Sequence, residues 1–253
     1  MLRRELEYFF GAVRFFTCLP VPAWVGHSSE ALNRSARYFP AVGLLIGVIG
    51  ALVYFAAALL WPQPVAVLLS MAATIYATGA FHEDGLADTV DGLGGGWDKL
   101  HILEIMKDSR VGSYGVVATV LALLGKFTLL AALDGALIPF ALLAGHALSR
   151  FCSTVLLATM DYVREDLLSK ARPLATRLST GEMLVAAFFV LAALALLPLE
   201  KAITGCLLAA LATVWLADKF ERWLGGYTGD CLGATQQVSE IAFYLGLLAH
   251  WPN

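Results

Sequence analysis

The amino-acid sequence predicts an all-α fold, a polytopic integral membrane helical bundle with about six to seven transmembrane helices. Of its 253 residues, 59% are hydrophobic and 15% are charged, whereas soluble domains carry about 25% charged residues. So little charge is not enough to cover the surface of a soluble domain of this size. The formal net charge of -3 also gives no basic field that would attract nucleic acid, and no nucleic-acid partner is expected.

Seven apolar stretches provide the predicted spans. Each approaches the ~20 residues that a helix needs to cross a bilayer. Since lipid offers no partners to backbone N–H and C=O groups, these stretches should be helical, and they lack the alternation of transmembrane β-strands. In chain order they are 41–62, 65–80, 112–133, 136–159, 183–199, 202–217 and 234–251.

The connections between the stretches differ in charge. Most of the 17 basic residues lie in the four longer segments, 1–40, 81–111, 160–182 and 218–233. The positive-inside rule therefore places the N-terminus and these segments in the cytoplasm. Residues 1–253 show no linker or second apolar core, so we expect one transmembrane catalytic domain, with a cytoplasmic or interfacial segment at 1–40 and a catalytic loop at 81–111.

The densest group of polar residues, FHEDGLADTVDGLGGG, follows the second stretch. On a helix, Asp84, Asp88 and Asp91 stand at i, i+4 and i+7 and share one face, which Glu83 flanks. A divalent cation is the natural neutraliser of carboxylates crowded at a low-dielectric boundary, and oxygen ligands favour Mg²⁺. The alternative is a solvated acidic segment at a helix end. The predicted metal ligands are Glu83, Asp84, Asp88 and Asp91.

This group ends in the glycine-rich run GLGGG at 92–96. Successive N–H groups of such a run can cradle a phosphate, and a plain hinge is an equally good interpretation. The run matches neither a Walker A motif nor a dinucleotide-binding fingerprint.

A second polar group, MKDSRVGSYG, leads into the third stretch. Its side-chain donors, together with the first N–H groups of the following helix, suit an anion. Flanking positive charge and a helix cap are the alternative. The candidate residues for contact with substrate are Lys107, Asp108, Ser109, Arg110 and Ser113.

A third polar group, GYTGDCLGATQQVSE, enters the last stretch. Asp230 could complete the metal site or deprotonate a nucleophilic hydroxyl. Gln236 and Gln237 could bind the edge of a base or a sugar, and hydrogen bonding between helices is the alternative.

Three basic residues lie apart from these groups. Arg150 is inside an apolar stretch and needs an anionic partner, and Arg172, in a connection, is a candidate contact for phosphate. Structural ion pairing is the alternative for both. Lys126 has no neighbouring polar motif, so we expect its ammonium to extend toward the membrane surface.

Five segments, in order, resemble those of the adenosylcobinamide-GDP ribazoletransferase family, the membrane cobalamin-5′-phosphate synthases. They lie within residues 15–240 and read FFTCLPVP, ARYFPAVG, FHEDGLADTVDGLGG, MKDSRVGSYG and GYTGDCLGATQQVSE. The resemblance implies a Mg²⁺-dependent, multi-pass enzyme of the bacterial cytoplasmic (inner) membrane, with its active site facing the cytoplasm. A homo-oligomer is compatible with the sequence.

The resemblance also implies the reaction. Adenosylcobinamide-GDP would transfer its adenosylcobinamide-phosphate group to α-ribazole, or to α-ribazole 5′-phosphate, and release GMP in the last steps of cobalamin biosynthesis. A ribose hydroxyl would attack the cobinamide-bearing phosphorus. Lys107 and Arg110 would stabilise charge on the phosphate oxygens, and Asp91 or Asp230 would serve as the base.

Two other functions, those of a CDP-alcohol phosphotransferase and of an ion-coupled transporter, fit some features of the sequence. CDP-alcohol phosphotransferases share D-x-x-D-G, which matches 88–92, but their next Ala-Arg is replaced by Gly95 and Gly96. Their distal pair of aspartates is also absent at the required spacing. An ion-coupled transporter would carry charged residues near the middle of the bilayer, whereas the acidic groups here lie at one membrane face.

Overall fold

The computed structural model describes residues 2–26, 29–163 and 178–249. This part of the chain is almost entirely helical, as predicted, and includes a 3-10 turn at Ala36–Tyr38. Its α-helices are α1 (Leu2–Phe16), α2 (Ser29–Ser35), α3 (Phe39–Ala58), α4 (Gln63–Thr78), α5 (Phe81–Gly95), α6 (Lys99–Ile105), α7 (Ser113–Ala132), α8 (Ile138–Thr159), α9 (Thr180–Leu194), α10 (Leu199–Leu224) and α11 (Gly229–Leu247).

Four helical segments within the described ranges are long and apolar enough to cross a bilayer: Ala31–Ala58, α7, α8 and α10. Helices α4 and α5 pass the same test only together, and their 85° bend fits either one broken span or a re-entrant segment. The predicted class is therefore confirmed, with four to five candidate spans instead of six to seven. Helix α9 has only 15 residues, and α11 carries buried polar residues along its length.

The bend between α4 and α5 turns the chain by 85°. Gly79 and Ala80 both adopt left-handed backbone angles, with φ values of 63° and 56°. The segment 81–111, named above as the catalytic loop, is mostly helical. Helix α5, which carries the acidic row as its spacing predicted, begins directly at Phe81, and α6 follows it. Helix α5 leaves the direction of α4 and packs against α7 and α11.

Helices α3 and α8 are in close contact through two glycines of α3. A Cβ atom at Gly43 would collide with the carbonyl oxygen of His146, and one at Gly47 would lie 2.7 Å from Cα of Leu143. Small residues spaced in this way let two membrane helices approach until their backbones touch. The same contact brings the polar middle of α8 into the interior of the bundle.

Helix α11 lies in the centre of the bundle, in contact with α5, α7, α8 and α10. Its apolar end, including Phe243 and Leu247, belongs to the main hydrophobic core. Gly246 packs directly on Gly205 of α10, where an added Cβ would lie 2.6 Å from Cα of Gly205. Because other helices surround it, α11 carries polar side chains that are shielded from lipid.

The connections collect at two ends of the bundle. At one end, Val163 donates its N–H to the carbonyl of Tyr227 (3.0 Å), and Tyr227 donates to Asp161 (2.8 Å). At the other end, the Gln63 amide donates to the carbonyls of Ala131 and Leu133, at 3.0 and 2.8 Å. The first end contains connections from the longer, basic segments, and the second contains short ones.

Candidate functional site

Helix α5 carries the predicted acidic row. Asp84, Asp88 and Asp91 lie on one helix, as their spacing predicted, and their exposure falls along the row. Asp84 is exposed, Asp88 is half-buried and Asp91 is buried. The row therefore runs from the surface into the contact between α5 and α7.

Asp91 joins α5 to the beginning of α7. Its Oδ2 accepts a hydrogen bond from the Gly112 N–H at 2.7 Å, and its Oδ1 accepts one from the Gly115 N–H at 2.8 Å. A Cβ at either glycine would collide with this carboxylate. The helix N-terminus predicted to bind an anion does exist, but two of its N–H groups already bind an anion of the chain itself.

The glycine-rich run at 92–96 permits close packing. Residues up to Gly95 belong to α5, and Gly96 ends the helix by donating its N–H to the Gly92 carbonyl at 2.8 Å. A Cβ at Gly92 would lie 2.7 Å from Cγ of Met106, and one at Gly94 would lie 2.9 Å from the Tyr114 ring. The run thus lets α6, Met106 and the start of α7 pack closely on α5.

The loop between α6 and α7 presents charged groups to solvent. The Arg110 guanidinium makes an ion pair with Asp108, with Nη2 2.6 Å from Oδ2, and its side chain is 87% exposed. This guanidinium holds the pKa of the Asp108 carboxyl down at about 2. Lys107, Ser109 and Ser113 are exposed as well, so the predicted phosphate-binding loop is accessible at the end of the acidic row.

A cleft of about 710 Å³ adjoins this loop. It lies between α6 and the strand-like segment that follows α8, and its polar lining includes Lys99, Lys107 and Tyr162. Lys107 therefore connects the loop to a cavity within the ~300–1,000 Å³ range of small-molecule sites.

Asp230 lies in the first turn of α11, beside α5. Thr228 caps this helix by accepting a hydrogen bond from the Cys231 N–H at 3.3 Å. A Cβ at Gly85 would lie 3.0 Å from the Asp230 carbonyl oxygen and 3.2 Å from Cα of Gly233. Since Gly85 stands between Asp84 and Asp88 on α5, the structure brings Asp230 next to the acidic row.

A network of buried charged and polar side chains connects α7, α8 and α11. At its centre, Glu240 is completely buried and its Oε1 lies 3.2 Å from Nζ of Lys126. Its Oε2 lies 3.4 Å from Nδ1 of His146, and Oε1 accepts a hydrogen bond from the Tyr244 hydroxyl at 3.0 Å. The Arg150 guanidinium donates to the His146 carbonyl at 3.0 Å. We name this set, together with Gln236, Gln237 and Glu83, the buried ionic network.

Gln237 connects the buried ionic network to α5. Its Oε1 accepts a hydrogen bond from Nζ of Lys126 at 3.0 Å, and its Nε2 donates to Oε1 of Glu83 at 2.9 Å. Nε2 also donates to Gln236 (2.8 Å), whose own amide donates to the hydroxyl of Ser149 at 3.0 Å and to Glu240. Both glutamines, nominated for substrate binding, are 2% exposed or less and are bonded between helices.

The network changes the interpretation of several residues. The prediction that Lys126 extends to the membrane surface is wrong, because its side chain is buried and paired with Glu240. Arg150 does lie near anions, as expected, within the same network. Glu240, the last residue of the third polar group, was recognised from the sequence as a polar residue at the membrane face but was given no role. His146 and Tyr244 were not singled out, although ionisable residues inside apolar stretches are functional or paired by default. Arg172 lies outside the described residues.

The residues around α5 suit a Mg²⁺ ion that is shared with a substrate. No three metal-ligating side chains converge on one point in the described ranges. Mg²⁺ usually keeps several waters and binds through one or two carboxylates plus substrate phosphates, so a preformed cage is not required. Asp84 is exposed and Asp88 is half-buried, so both provide hard oxygen donors near the surface. Glu83 and Asp91 are buried and accept hydrogen bonds from Gln237 and from the start of α7.

The fold and the site define an all-helical membrane protein with an acidic helix and a basic loop at one end of its bundle. The family model described as cobalamin-5-phosphate synthase matches residues 8–248. The chain is 48% identical to the adenosylcobinamide-GDP ribazoletransferase of Shewanella amazonensis, with 98% of this chain and 97% of the relative covered. It is 48% identical to that of a Polaromonas species (93% and 94%) and 46% identical to that of Leptothrix cholodnii (98% and 97%). No solved structure matches the chain.

The chain belongs to the cobalamin-5-phosphate synthase family, whose members are the adenosylcobinamide-GDP ribazoletransferases. It is therefore a transferase of cobalamin biosynthesis, as the motifs of the sequence indicated. The shared segments include both the acidic helix and the basic loop, because the matches cover nearly the whole chain.

Proposed function

We propose that the chain transfers the adenosylcobinamide-phosphate group of adenosylcobinamide-GDP to α-ribazole or its 5′-phosphate. A ribose hydroxyl oxygen forms a bond to the cobinamide-bearing phosphorus, the bond from that phosphorus to the bridging oxygen breaks, and GMP leaves. The hydroxyl proton passes to a base of the protein. The similarity to adenosylcobinamide-GDP ribazoletransferases supports the substrate, and the position of the acidic row beside an exposed basic loop supports the site.

The carboxylates of α5 are proposed to hold Mg²⁺. When bound, the ion would neutralise charge on the diphosphate and on the leaving GMP. The predicted set is Glu83, Asp84, Asp88 and Asp91. Within it, the accessible Asp84 and Asp88 are best placed to bind the ion directly, and Asp91 holds α5 against the start of α7 by its two hydrogen bonds.

Lys107 and Arg110 are proposed to contact the phosphates. Both are exposed at the loop next to the acidic row, and Arg110 has a planar guanidinium suited to bidentate contact with phosphate oxygens. Ser109 and Ser113 would add neutral donors. Asp108 orients Arg110 through their ion pair, so it acts on the substrate through that guanidinium.

The base is proposed to be Asp230. Asp91 was the other candidate, but both of its oxygens accept backbone hydrogen bonds, which suits a positioning role. Asp230 lies in the first turn of α11 against Gly85, next to the accessible end of the acidic row. A base must lie within hydrogen-bond reach of the proton that it removes.

The reaction site is proposed to face the cytoplasm of a bacterial inner membrane. The connections from the basic segments gather at one end of the bundle, and positive-inside asymmetry assigns that end to the cytoplasm. Seven crossings are obtained if α4, α9 and α11 traverse the bilayer in addition to the four long apolar spans. The orientation is tested with the single-cysteine variants Lys107→Cys and Asp134→Cys, which are labelled in intact cells and in inverted vesicles. Lys107→Cys should react only in inverted vesicles.

A reconstituted assay tests the activity directly. Purified protein in liposomes should release GMP from adenosylcobinamide-GDP only when α-ribazole, or its 5′-phosphate, and Mg²⁺ are present. Absence of turnover with both substrates and the metal would refute the proposal. A CDP-linked alcohol supplied instead should give no CMP, and its turnover would favour the phospholipid-type alternative.

Asp88→Asn tests the acidic row. Its side chain is only half-buried, so the variant should fold and insert normally, while turnover falls by orders of magnitude because a metal-holding oxygen is lost. Asp218→Asn is the matched control, since Asp218 is an exposed aspartate paired with Arg222 on α10. Equal turnover in the two variants would remove the acidic row from the site.

A further inference from the structure

We infer that Gln237 is a positioning residue that sets the orientation of the acidic helix α5 through the buried ionic network. The inference rests on the proposed function, because it assigns the acidic row to the reaction. Polar contacts hold α5 near each end of the row, at Glu83 and at Asp91.

The first contact is made by Glu83, the neighbour of Asp84. Its Oε1 accepts the hydrogen bond from Nε2 of Gln237, and its Oε2 is buried without a hydrogen-bond partner among the described residues. The Gln237 amide is therefore the side-chain donor that holds Glu83. The second contact is Asp91, whose carboxylate is bound by the start of α7.

These contacts lie about 12 Å apart along α5, given the rise of an α-helix. Two separated polar contacts restrict the rotation of a helix about its axis, and this rotation decides where the intervening Asp84 and Asp88 project. Apolar packing alone tolerates small rotations better, because dispersion and hydrophobic forces are non-directional.

Gln237 is itself held in one orientation. Lys126 donates to its Oε1, while its Nε2 donates to Glu83 and to Gln236. Reversal of the amide would place its NH₂ group against the Lys126 ammonium, where two donors would meet. Lys126 in turn is fixed by Glu240. The ion pair between α7 and α11 thus determines which Gln237 atom faces α5.

Lys126, Gln237 and Glu240 are too deeply buried to contact a substrate at the bundle end, since each is at most 5% exposed. Their effect on the reaction must pass through α5. Misplacement of reacting groups by about 1 Å can lower a rate on the order of a hundredfold, so a loss of the Gln237 bond should be visible in turnover although Gln237 touches no reactant.

The test replaces Gln237 by methionine, which keeps the length of the side chain and removes its hydrogen bonds. Ser153→Ala is the matched control, because the Ser153 hydroxyl also donates a hydrogen bond from α8 to α11, a partly buried bond of 2.8 Å to the Leu232 carbonyl that does not involve α5. Gln237→Asn, which keeps the amide but shortens its reach, provides a second variant if Gln237→Met does not fold.

The first readout is independent of activity. Thr89 on α5 is 2% exposed, and its hydroxyl has no hydrogen-bond partner among the described residues, so Thr89→Cys is a mild probe. In a background with Cys18 and Cys206 replaced by serine, alkylation of this thiol should become about tenfold faster with Gln237→Met, as local opening of α5 becomes easier. The alkylation rate of Thr89→Cys should stay unchanged with Ser153→Ala.

The second readout uses the unlabelled variants. In Gln237→Met, the Mg²⁺ concentration that gives half-maximal turnover should rise by about tenfold, because the carboxylates are no longer aligned. A mere loss of folded enzyme would lower turnover and leave that concentration unchanged. Unchanged alkylation of Thr89→Cys, or an unchanged Mg²⁺ requirement, would overturn the inference. Normal turnover of Asp88→Asn would instead refute the proposed function, and the alkylation result would not depend on it.

Discussion

The ammonium nitrogen of Lys126 lies 3.2 Å from Oε1 of Glu240, and the two side chains are 7% and 0% exposed. They come from α7 and α11 and form the ion pair at the centre of the buried ionic network. Arg150 and Glu83 are also buried in it, so two acidic and two basic side chains balance in formal charge. Removal of one member of such a set leaves a buried charge without compensation.

Lys126→Met should therefore be strongly destabilising, by about 3–5 kcal/mol in free energy of unfolding. The double variant Lys126→Met with Glu240→Gln removes both charges and should be more stable than Lys126→Met alone. Thermal unfolding in detergent, followed by loss of the folded monodisperse fraction, measures both. A double variant less stable than either single one would show that the pair contributes more than charge balance.

Asp91→Asn should lower stability as well as turnover, in contrast to Asp88→Asn. Its amide can accept only one of the two hydrogen bonds from Gly112 and Gly115, and the other backbone donor would face an NH₂ group. Loss of a hydrogen bond to a charged group corresponds to about 1.5–3 kcal/mol. The prediction is checked by comparing the thermal unfolding of the two asparagine variants, and equal midpoints would contradict it.

Gly43→Ala should destabilise the contact between α3 and α8. The new Cβ would overlap the carbonyl oxygen of His146, so the helices must separate, at a cost of about 1–3 kcal/mol. Gly125→Ala in α7 is the control, because the nearest atom to its Cβ, on Ile241, lies 4.0 Å away. That variant should be as stable as the parent or better by up to about 1 kcal/mol. Equal destabilisation by both changes would argue against close backbone packing at Gly43.

Arg110→Ala should weaken substrate binding and leave stability unchanged. Arg110 is 87% exposed, and surface ion pairs contribute little to stability. Loss of the guanidinium should raise the KM for adenosylcobinamide-GDP, and Arg110→Lys should restore it only in part, because an ammonium lacks the bidentate geometry. An unchanged KM in Arg110→Ala would exclude the predicted phosphate contact.

The same ion pair predicts a simple pH response. Because the Asp108 pKa is lowered from 3.8 to about 2 by Arg110, the contribution of the pair to stability is complete above the unfolded-state value. It is lost as the pH falls through about 2. Asp108→Asn should therefore be slightly less stable than the parent at every pH above the unfolded-state value, by the small amount that a surface ion pair contributes, and the difference should disappear as the pH falls through about 2. A difference in stability that persists below pH 2, or that is absent at neutral pH, would contradict the assignment.

Several elements could be predicted from local patterns. The i, i+4, i+7 spacing of Asp84, Asp88 and Asp91 depends only on helical periodicity, and a helix does form there. The start of α7 near Gly112 was expected because the apolar stretch 112–133 begins there. In contrast, Ala80 adopts a left-handed conformation that alanine disfavours. Gly79 ends α4 in the left-handed conformation that glycine favours at a helix end, so only the left-handed angles of Ala80 run against local propensity.

The sequence by itself determined that this protein is an all-helical membrane protein, which residues form its acidic and basic groups, and to which family its motifs belong. Composition, helical periodicity and ordered motifs are properties of neighbouring residues, so they can be recognised without a fold. Only the tertiary structure decided that Lys126 pairs with Glu240, that Gln237 bonds to Glu83, and that Asp91 occupies the N-terminus of α7. The pairs centred on Lys126 and Gln237 join residues more than a hundred positions apart in the chain. Burial gives such pairs their strength, and burial depends on how the helices pack.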